Sequence, residues 1–396
     1  MSVPQPLAGL KVIEFTHMVM GPTAGAVLAA LGAEVVRVEP IGGDATRRLV
    51  GSGAGYFPMY NRHKASICLN LKSPTGLAIA KKLVQQVDIL IENYRPEAMD
   101  NLGLGYEDLK VENARLIYCS EKGFLPGPYE HRTALDEVAQ MMGGLAYMTG
   151  PPGKPLRAGA SVIDVAGGMF GVIAILAAVE ERHRTGLGQK VASSLFETTV
   201  YLVGQHMAQM AVTGKAADPM PARLSAWAIY DVFETEDQNS VFIGVVSDSQ
   251  WRVFCELFDL NEFWNNPQLR LNNDRVMARD LIMPTVRAVM RTMTKDALIM
   301  KLEKSGLPFA PVARPQDMFD DPHLLASDGM EQVTLPDGRI TQLPGLPIQM
   351  SGARLSSPST LPNPGAQTHA LLEGLGLNPA EIATLLSSGA VQADIP

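Results

Sequence analysis

The sequence predicts an α/β protein, with a doubly wound, parallel-stranded layer over roughly the first 120 residues and a smaller region of mixed helices and strands after it. Short apolar runs alternate with helical stretches from Leu10 to Ser120. The first two strands are joined by a single short helix, a βαβ unit that requires parallel pairing. After Lys215 the pattern changes to paired strands and helices rich in turn residues. No repeat period suggests a solenoid or propeller.

In chain order, Leu10–Phe15 (LKVIEF) reads as a buried strand. A turn over His17–Pro22 leads into a helix over Thr23–Leu31, which Gly32 ends, and Glu34–Glu39 is the next strand. Ser66–Leu71 is a strand, Pro74–Gln86 a helix, and Val87–Glu92 and Ala114–Ser120 further strands. Val138–Thr149 is helical, Lys190–Ser194 a short strand and Glu197–Val212 a helix. Lys215–Leu224 reads as a linker. Ala228–Phe233 and Ser240–Val246 pair as a hairpin, with helices at Ser249–Phe258, Arg275–Thr292 and Lys295–Gly306. Two more strands (MEQVTL and GRITQL) precede a helical tail over Pro364–Gly389.

Net charge is −8 with no basic run, which argues against nucleic acid as a main partner. No signal peptide is apparent, so a cytoplasmic location is expected. Cys68, Cys119 and Cys255 are scattered without metal spacing, and no metal is expected.

The stretch Pro155–Arg184 (PLRAGASVIDVAGGMFGVIAILAAVEERHR) concentrates the chemistry. From Val165 to Val179 every residue is apolar or Gly, a run too short to span a bilayer and expected to be buried on all sides. Gly167-Gly168 lowers helix propensity, so close packing is expected there. Asp164 stands at the helix start, as an N-cap or as a carboxylate nucleophile beside backbone N–H donors. Other chemistries find little support. The turn THMVMGP lacks the glycine fingerprint of dinucleotide binding, although Glu39 ends the second strand where a ribose-binding acid would sit. No Walker loop, H-E-x-x-H, paired-Cys motif or G-x-S-x-G occurs.

A series of signatures in order then carries a resemblance: PLAGLKVIEF with a following GP, LGAEVVRVEP with Gly43-Asp44 and Arg47, NRHKASICLNLKSPTG, ENYRPEAMDNLGLGYEDL, SEKGFLPGP, LDEVAQMMGG, VIDVAGGMFG and RTGLGQKVASSLFE. Together they resemble the class III CoA-transferases, the family of formyl-CoA:oxalate and carnitine CoA-transferases and α-methylacyl-CoA racemase. The resemblance implies a large Rossmann-like domain built from both chain ends, a smaller α+β domain between them, and an interlocked homodimer. It places a CoA-binding domain at 1–214, a small domain at 225–325 and a returning segment at 326–396.

By the same resemblance Asp164 is the catalytic nucleophile and Asp136 a supporting acid, with a helix cap as the alternative for each. Coenzyme A, as acyl-CoA, would be held by His17, by Leu69, Asn70, Leu71 and Lys72, and by Asn93, Tyr94 and Arg95. CoA would pass from an acyl-CoA to a carboxylic acid through aspartyl anhydride and aspartyl-CoA thioester intermediates. The racemase branch needs a His immediately before the acid matching Asp136; Leu135 stands there, and His131 is the nearest in sequence. A non-catalytic CoA-binding module is the remaining alternative. Val19 and Met20 depart from the turn of the oxalate subgroup, and Ile41, Asn101 and Gly365–Thr368 depart from the commoner family pattern. Arg47, Arg48 and Arg223 are candidates for a substrate carboxylate, which makes a small dicarboxylate such as succinate a reasonable acid.

Overall fold

The computed structural model describes residues 5–223, 225–355 and 358–394; Leu224, at the end of the expected linker, lies outside them, as do the ends of the first and last expected domains. The chain divides into two compact units, Met1–Pro221 with Pro322–Pro396, and Ala222–Asp321.

The larger unit is built on a mixed α/β layer. Its sheet strands are β1 (Lys11–Phe15), β2 (Glu34–Glu39), β3 (Lys64–Leu69), β4 (Ile89–Glu92), β5 (Ile117–Lys122) and β6 (Lys190–Ser194). They pair in parallel in the order β3-β2-β1-β4-β5-β6. This is the doubly wound order, whose topological switch point lies between β1 and β4. The strand Val391–Gln392 closes the β3 edge in antiparallel fashion, so the end of the chain completes the sheet begun at its start.

Five helices matter for the site: α1 (Met20–Ala30), α2 (Pro74–Val84), α3 (Asp136–Met142), α4 (Val162–Thr185) and α5 (Leu195–Thr213). Helix α1 begins three residues before the expected Thr23, because Pro22 falls in the first turn, where a missing N–H costs nothing. The expected helix over Val138–Thr149 is two helices, α3 and Leu145–Thr149, broken at Gly144 with φ +90°. Cys68, Cys119 and Cys255 are buried and free.

A buried charge network ties the β1–α1 turn to the sheet. Lys64 Nζ donates to both oxygens of Glu14 at 2.8 and 2.9 Å and to the Pro22 carbonyl at 2.9 Å. Arg37 donates to Glu14 at 3.0 Å, to Thr16 Oγ1 at 3.1 Å and to Asn61 Oδ1 at 2.9 Å, and pairs with Asp44. These cations are held away from water, and burial pulls the Lys64 pKa down to about 8 against the attraction of Glu14. The network fixes the first turn of α1 from below.

Helix α4 packs on α1 through Gly167 and Gly168, as the sequence predicts. A Cβ on Gly168 would lie 2.5 Å from the Met20 carbonyl oxygen, and one on Gly167 would lie 2.7 Å from Met20 Cε. The expectation of burial on all sides fails. Met169 and Ile173 are exposed, and 39% of the most apolar window of this 24-residue helix is buried. By length and composition alone α4 could cross a membrane. Its glycine stripe, however, is packed within the α/β layer. An apolar outline carries no record of which side the rest of the chain covers.

The smaller unit has an antiparallel sheet of Tyr230–Glu234, Ser240–Gly244 and Phe309–Pro311. The sheet packs against helices through a core that includes Trp251, Phe254, Ile282 and Leu298. The hairpin forms as expected. The expected helix Arg275–Thr292 is divided into Asn272–Met277 and Arg279–Met290.

The Gly168–Met20 contact generates a prediction. Gly168→Ala should destabilise the protein by about 1–3 kcal/mol, since the methyl meets backbone that cannot rotate away. Denaturant unfolding of the variant measures it, and a Gly168→Ala protein as stable as the parent would contradict the packing.

Candidate active site

At the carboxyl edge of the sheet, the loops after β1 and β4 are stitched together at the switch point. Asn93 Oδ1 accepts from the His17 N–H, and Asn93 Nδ2 donates to the His17 carbonyl, both at 2.9 Å. This amide clamp holds a turn in which Met18 has φ +61°, a conformation unusual for a side-chain-bearing residue. The His17 ring lies 5.8 Å from that of Tyr94. Its pKa is lowered, first by burial of the ring and further by Arg37, with Asp44 opposing.

Beside the clamp is a cavity of about 470 Å³, lined by Leu69, Asn70, Leu71, Lys72 and Tyr94 together with Val38–Ile41 and Gly389. Its size suits part of an organic ligand, and both ends of the chain contribute to its wall. Asn70 Oδ1 accepts from the Lys72 N–H at 3.2 Å, which shapes the rim. Among the described residues no hydrogen bond or ion pair occupies the Lys72 ammonium or the Arg95 guanidinium; both side chains are exposed, and Lys72 lines the cavity. They supply positive charge where a phosphorylated ligand would need it.

One step along this edge, past α1, is the start of α4. Its N-cap position is Ser161, whose side chain makes no capping bond, and Asp164 stands three residues in. The cap comes from elsewhere in the chain. Buried Asp136, the first residue of α3, accepts through Oδ2 from the N–H groups of Ile163 at 2.8 Å and Asp164 at 3.1 Å. Its other oxygen accepts from Gln140 Nε2 at 2.5 Å, and Gln140 Oε1 takes the Ala158 N–H at 2.9 Å. The orphan donors of the helix are thereby satisfied by Asp136.

The Asp164 carboxylate consequently has no hydrogen-bond partner among the described residues and lies half-buried. Its pKa is pushed up to about 7, by burial first, then by the charges of Asp136 and Glu137, with Arg157 opposing. Arg157 is held by an ion pair with Glu137. Asp164 is thus not the cap, and Asp136 is a cap in space rather than for its own helix.

Several sequence expectations shift. Asn93 spends its amide on His17. Arg47 is committed to Glu39 and to the Pro362 carbonyl, with its guanidinium 3.8 Å from the centre of the Phe57 ring, so it is not free for a substrate carboxylate. Arg48 donates to the Gly42 and Gly43 carbonyls. Arg223 belongs to the smaller unit. Glu39 is occupied by Arg47, Ser66 and the Asp44 N–H, which leaves no acid for a ribose. His131 is exposed and bonded to Glu130, and Leu135 is exposed, so among the described residues no imidazole is hydrogen-bonded to Asp164 as a second base.

Sequence reasoning missed Tyr60, whose phenol pKa is raised by burial first and then by the Asp164 charge. It also missed Gln140 and Arg157. Their only sequence signal was proximity to Asp136 and to Asp164. A larger cavity, about 820 Å³, lies among residues 323–358 and includes none of the expected site residues. The smaller cavity is the stronger candidate because it adjoins the switch point, where α/β layers bind ligands.

A doubly wound layer with a cavity at its switch point and an unpartnered acid on a neighbouring helix start defines a ligand-binding α/β enzyme. The chain belongs to CoA-transferase family III, whose sequence profile matches residues 7–368. It is 32% identical over 98% of its length to the succinyl-CoA:glutarate CoA-transferase of Mus musculus, covering 91% of that protein. It is 34% identical over 88% of its length to the acetyl-CoA:oxalate CoA-transferase of Acetobacter aceti, covering 90% of it. Among solved structures, a CAIB/BAIF family protein from Brucella suis superposes with a TM-score of 0.83 at 31% identity, covering 94% of this chain and all (100%) of that one. The protein is a CoA-transferase, as the ordered signatures of the sequence imply.

Because Asp136 both caps α4 and raises the Asp164 pKa, Asp136→Asn separates the two effects. Asparagine keeps a capping oxygen but removes the charge. If Asp164 acts ionised, kcat/KM should rise with pH through a midpoint near 7. In Asp136→Asn that midpoint should move down, measured as the pH profile of kcat/KM. An unmoved or raised midpoint would contradict the electrostatic coupling.

Proposed function

We propose that Asp164 is the nucleophile of CoA transfer and that the acids exchanged include small dicarboxylates. One observation carries the reading: the helix end on which Asp164 sits is capped by Asp136, so the Asp164 carboxylate is left without a partner. A half-buried carboxylate without a partner is costly to stability, and the cost has an evident return if the group must attack a thioester.

In the first step the Asp164 carboxylate attacks the acyl-CoA thioester carbonyl. The C–S bond breaks, CoA leaves as thiolate, and an aspartyl–acyl anhydride remains. The thiolate then attacks the aspartyl carbonyl of the anhydride, expelling the donor acid as carboxylate and leaving an aspartyl-CoA thioester. An acceptor carboxylate attacks that thioester and regenerates a mixed anhydride and thiolate. The thiolate takes the acceptor acyl group, and the Asp164 carboxylate is restored. No net proton is consumed. Splitting the exchange into acyl transfers makes each step easier than direct displacement.

The uncapped first turn of α1, packed on Gly167 and Gly168, offers backbone N–H groups for developing oxyanions. Leu69–Lys72 and Tyr94 would form the wall for the CoA nucleotide, with Lys72 and Arg95 meeting phosphate and His17 and Asn93 holding the turn beside the pantetheine arm. The names of relatives that act on glutarate and oxalate support a dicarboxylic acceptor. Arg157, near Asp164 and balanced by Glu137, is a better candidate for the far carboxylate than Arg47. The exposed apolar face of α4 and α5, including Met169, Ile173, Tyr201, Met207 and Met210, supports a homodimer.

Asp164→Ala should lower transfer from succinyl-CoA to glutarate by at least about 10³-fold, measured by mass spectrometry of the acyl-CoA products. In the wild type, hydroxylamine during turnover should leave a mass change on Asp164. An unmarked Asp164 with transfer intact in the variant would overturn the nucleophile. Dimerisation is checked by light scattering on the eluting protein, and a monomer at micromolar concentration would overturn it.

A further inference from the structure

Two strand glutamates in the larger unit are seated alike and treated differently. Glu14, on β1, fits under Gly25 of α1, where a Cβ would lie 1.8 Å from its Oε2. Glu121, on β5, fits under Gly171 of α4, where a Cβ would lie 2.3 Å from its Oε1. Each glycine forms a notch that lets a carboxyl rest against the helix backbone. Glu14 receives Lys64 and Arg37. Glu121 is 1% exposed, and neither of its oxygens has a hydrogen-bond partner.

The charged groups around Glu121 offer it no free cation. Glu14 faces it from β1, Glu92 from β4 and Asp164 from α4, all acids; Lys64, on β3, is the only base of the set. The Lys64 donors are spent on Glu14 and the Pro22 carbonyl. Lys122 is spent on Glu92 at 2.7 Å and on the Tyr94 carbonyl. Across the strand pair, Glu121 is in register with Ser193, whose hydroxyl is also buried without a partner. Both lie beside Gly171, since Ser193 Oγ is 3.3 Å from the same added Cβ. Asp164 and Gly171 are two turns apart on one face of α4.

We propose that Glu121 is a positioning residue for Asp164: an unpaired, fully buried carboxyl that seats α4 through the Gly171 notch without placing a second negative charge beside the nucleophile. The proposal rests on the reading of Asp164 as nucleophile. Burial and the surrounding acids hold the Glu121 pKa well above the usual carboxylate range. A neutral acid avoids burying a charge that no donor meets. A carboxylate in the same place would add a negative charge on the face of α4 that carries Asp164 and would push the Asp164 pKa further up.

The test uses Glu121→Ala and Glu121→Gln in the full chain. Glu121→Ala empties the notch and should lower kcat by about 10- to 100-fold with little change in KM for acyl-CoA. Glu121→Gln, neutral and of the same shape, should restore kcat and leave the acid limb of the pH profile in place. The stability sign is fixed by linkage: a buried acid with a raised folded-state pKa loses stability as pH rises above its unfolded pKa of about 4.3. The Tm gain of Glu121→Gln over wild type should therefore grow between about pH 5 and pH 8. A Glu121→Gln enzyme as slow as Glu121→Ala, a downward move of the acid limb in Glu121→Gln, or a pH-independent Tm difference would each overturn the proposal. Should the variants not fold, infrared spectroscopy of Asp164→Asn near pH 8 should contain a protonated-carboxyl carbonyl band, and its absence overturns the proposal. The Tm and infrared measurements involve no turnover, so they judge Glu121 even if Asp164 proved not to be the nucleophile.

Discussion

The site depends on a carboxylate from one helix closing the N-terminus of another. Asp136 takes the Ile163 and Asp164 N–H groups, and three consequences follow from that substitution of partners. The start of α4 is satisfied without using Asp164. The two acids are brought near enough for one to raise the pKa of the other. And the first turn of α4 is tied to α3, so the direction of Asp164 is set by a contact between segments 28 residues apart. A self-capping aspartate would have spent one of its oxygens on its own backbone.

Around that contact the molecule is organised by small residues under charged ones. Gly25 admits Glu14 beneath α1, Gly168 admits the Met20 carbonyl beside α4, and Gly171 admits Glu121. Each notch brings a helix closer to its neighbour, strand or helix, than a side chain would allow. The buried charges then hold loops rather than bury area, since Lys64 grips the Pro22 carbonyl and Arg37 the Thr16 hydroxyl. Buried ion pairs contribute little net stability; here they fix the turn that carries His17. Family membership accounts for the fold and the transfer reaction, and these contacts account for how this chain places the turn and the helix start at the site.

Much of this was legible in the sequence, and the reason is local. Strand and helix periodicity marked β1 to β6 and the long α4, because alternation and apolar runs record burial along a single segment. The Gly167-Gly168 pair announced close packing, because glycine in a helix is disfavoured unless a neighbour needs the space. The ordered signatures placed Asp164 and the Leu69–Lys72 segment that lines the cavity.

What the tertiary structure alone decided was partnership. Whether Asp164 caps its own helix could not be read from its neighbours in sequence, since that turned on whether another carboxylate arrived from a distant turn. Arg47 looked available until Glu39 was found beside it, and Glu121, just past the end of the expected strand, carried no sign that its surroundings lack a free cation. The outer face of α4 has the same apolar composition as its inner one, and only the placement of the sheet separates them. Sequence therefore determined which residues could do chemistry and where the strands and helices run. Three-dimensional packing decided which charges are already satisfied, because hydrogen bonds and ion pairs here join residues far apart in the chain and no local pattern encodes them.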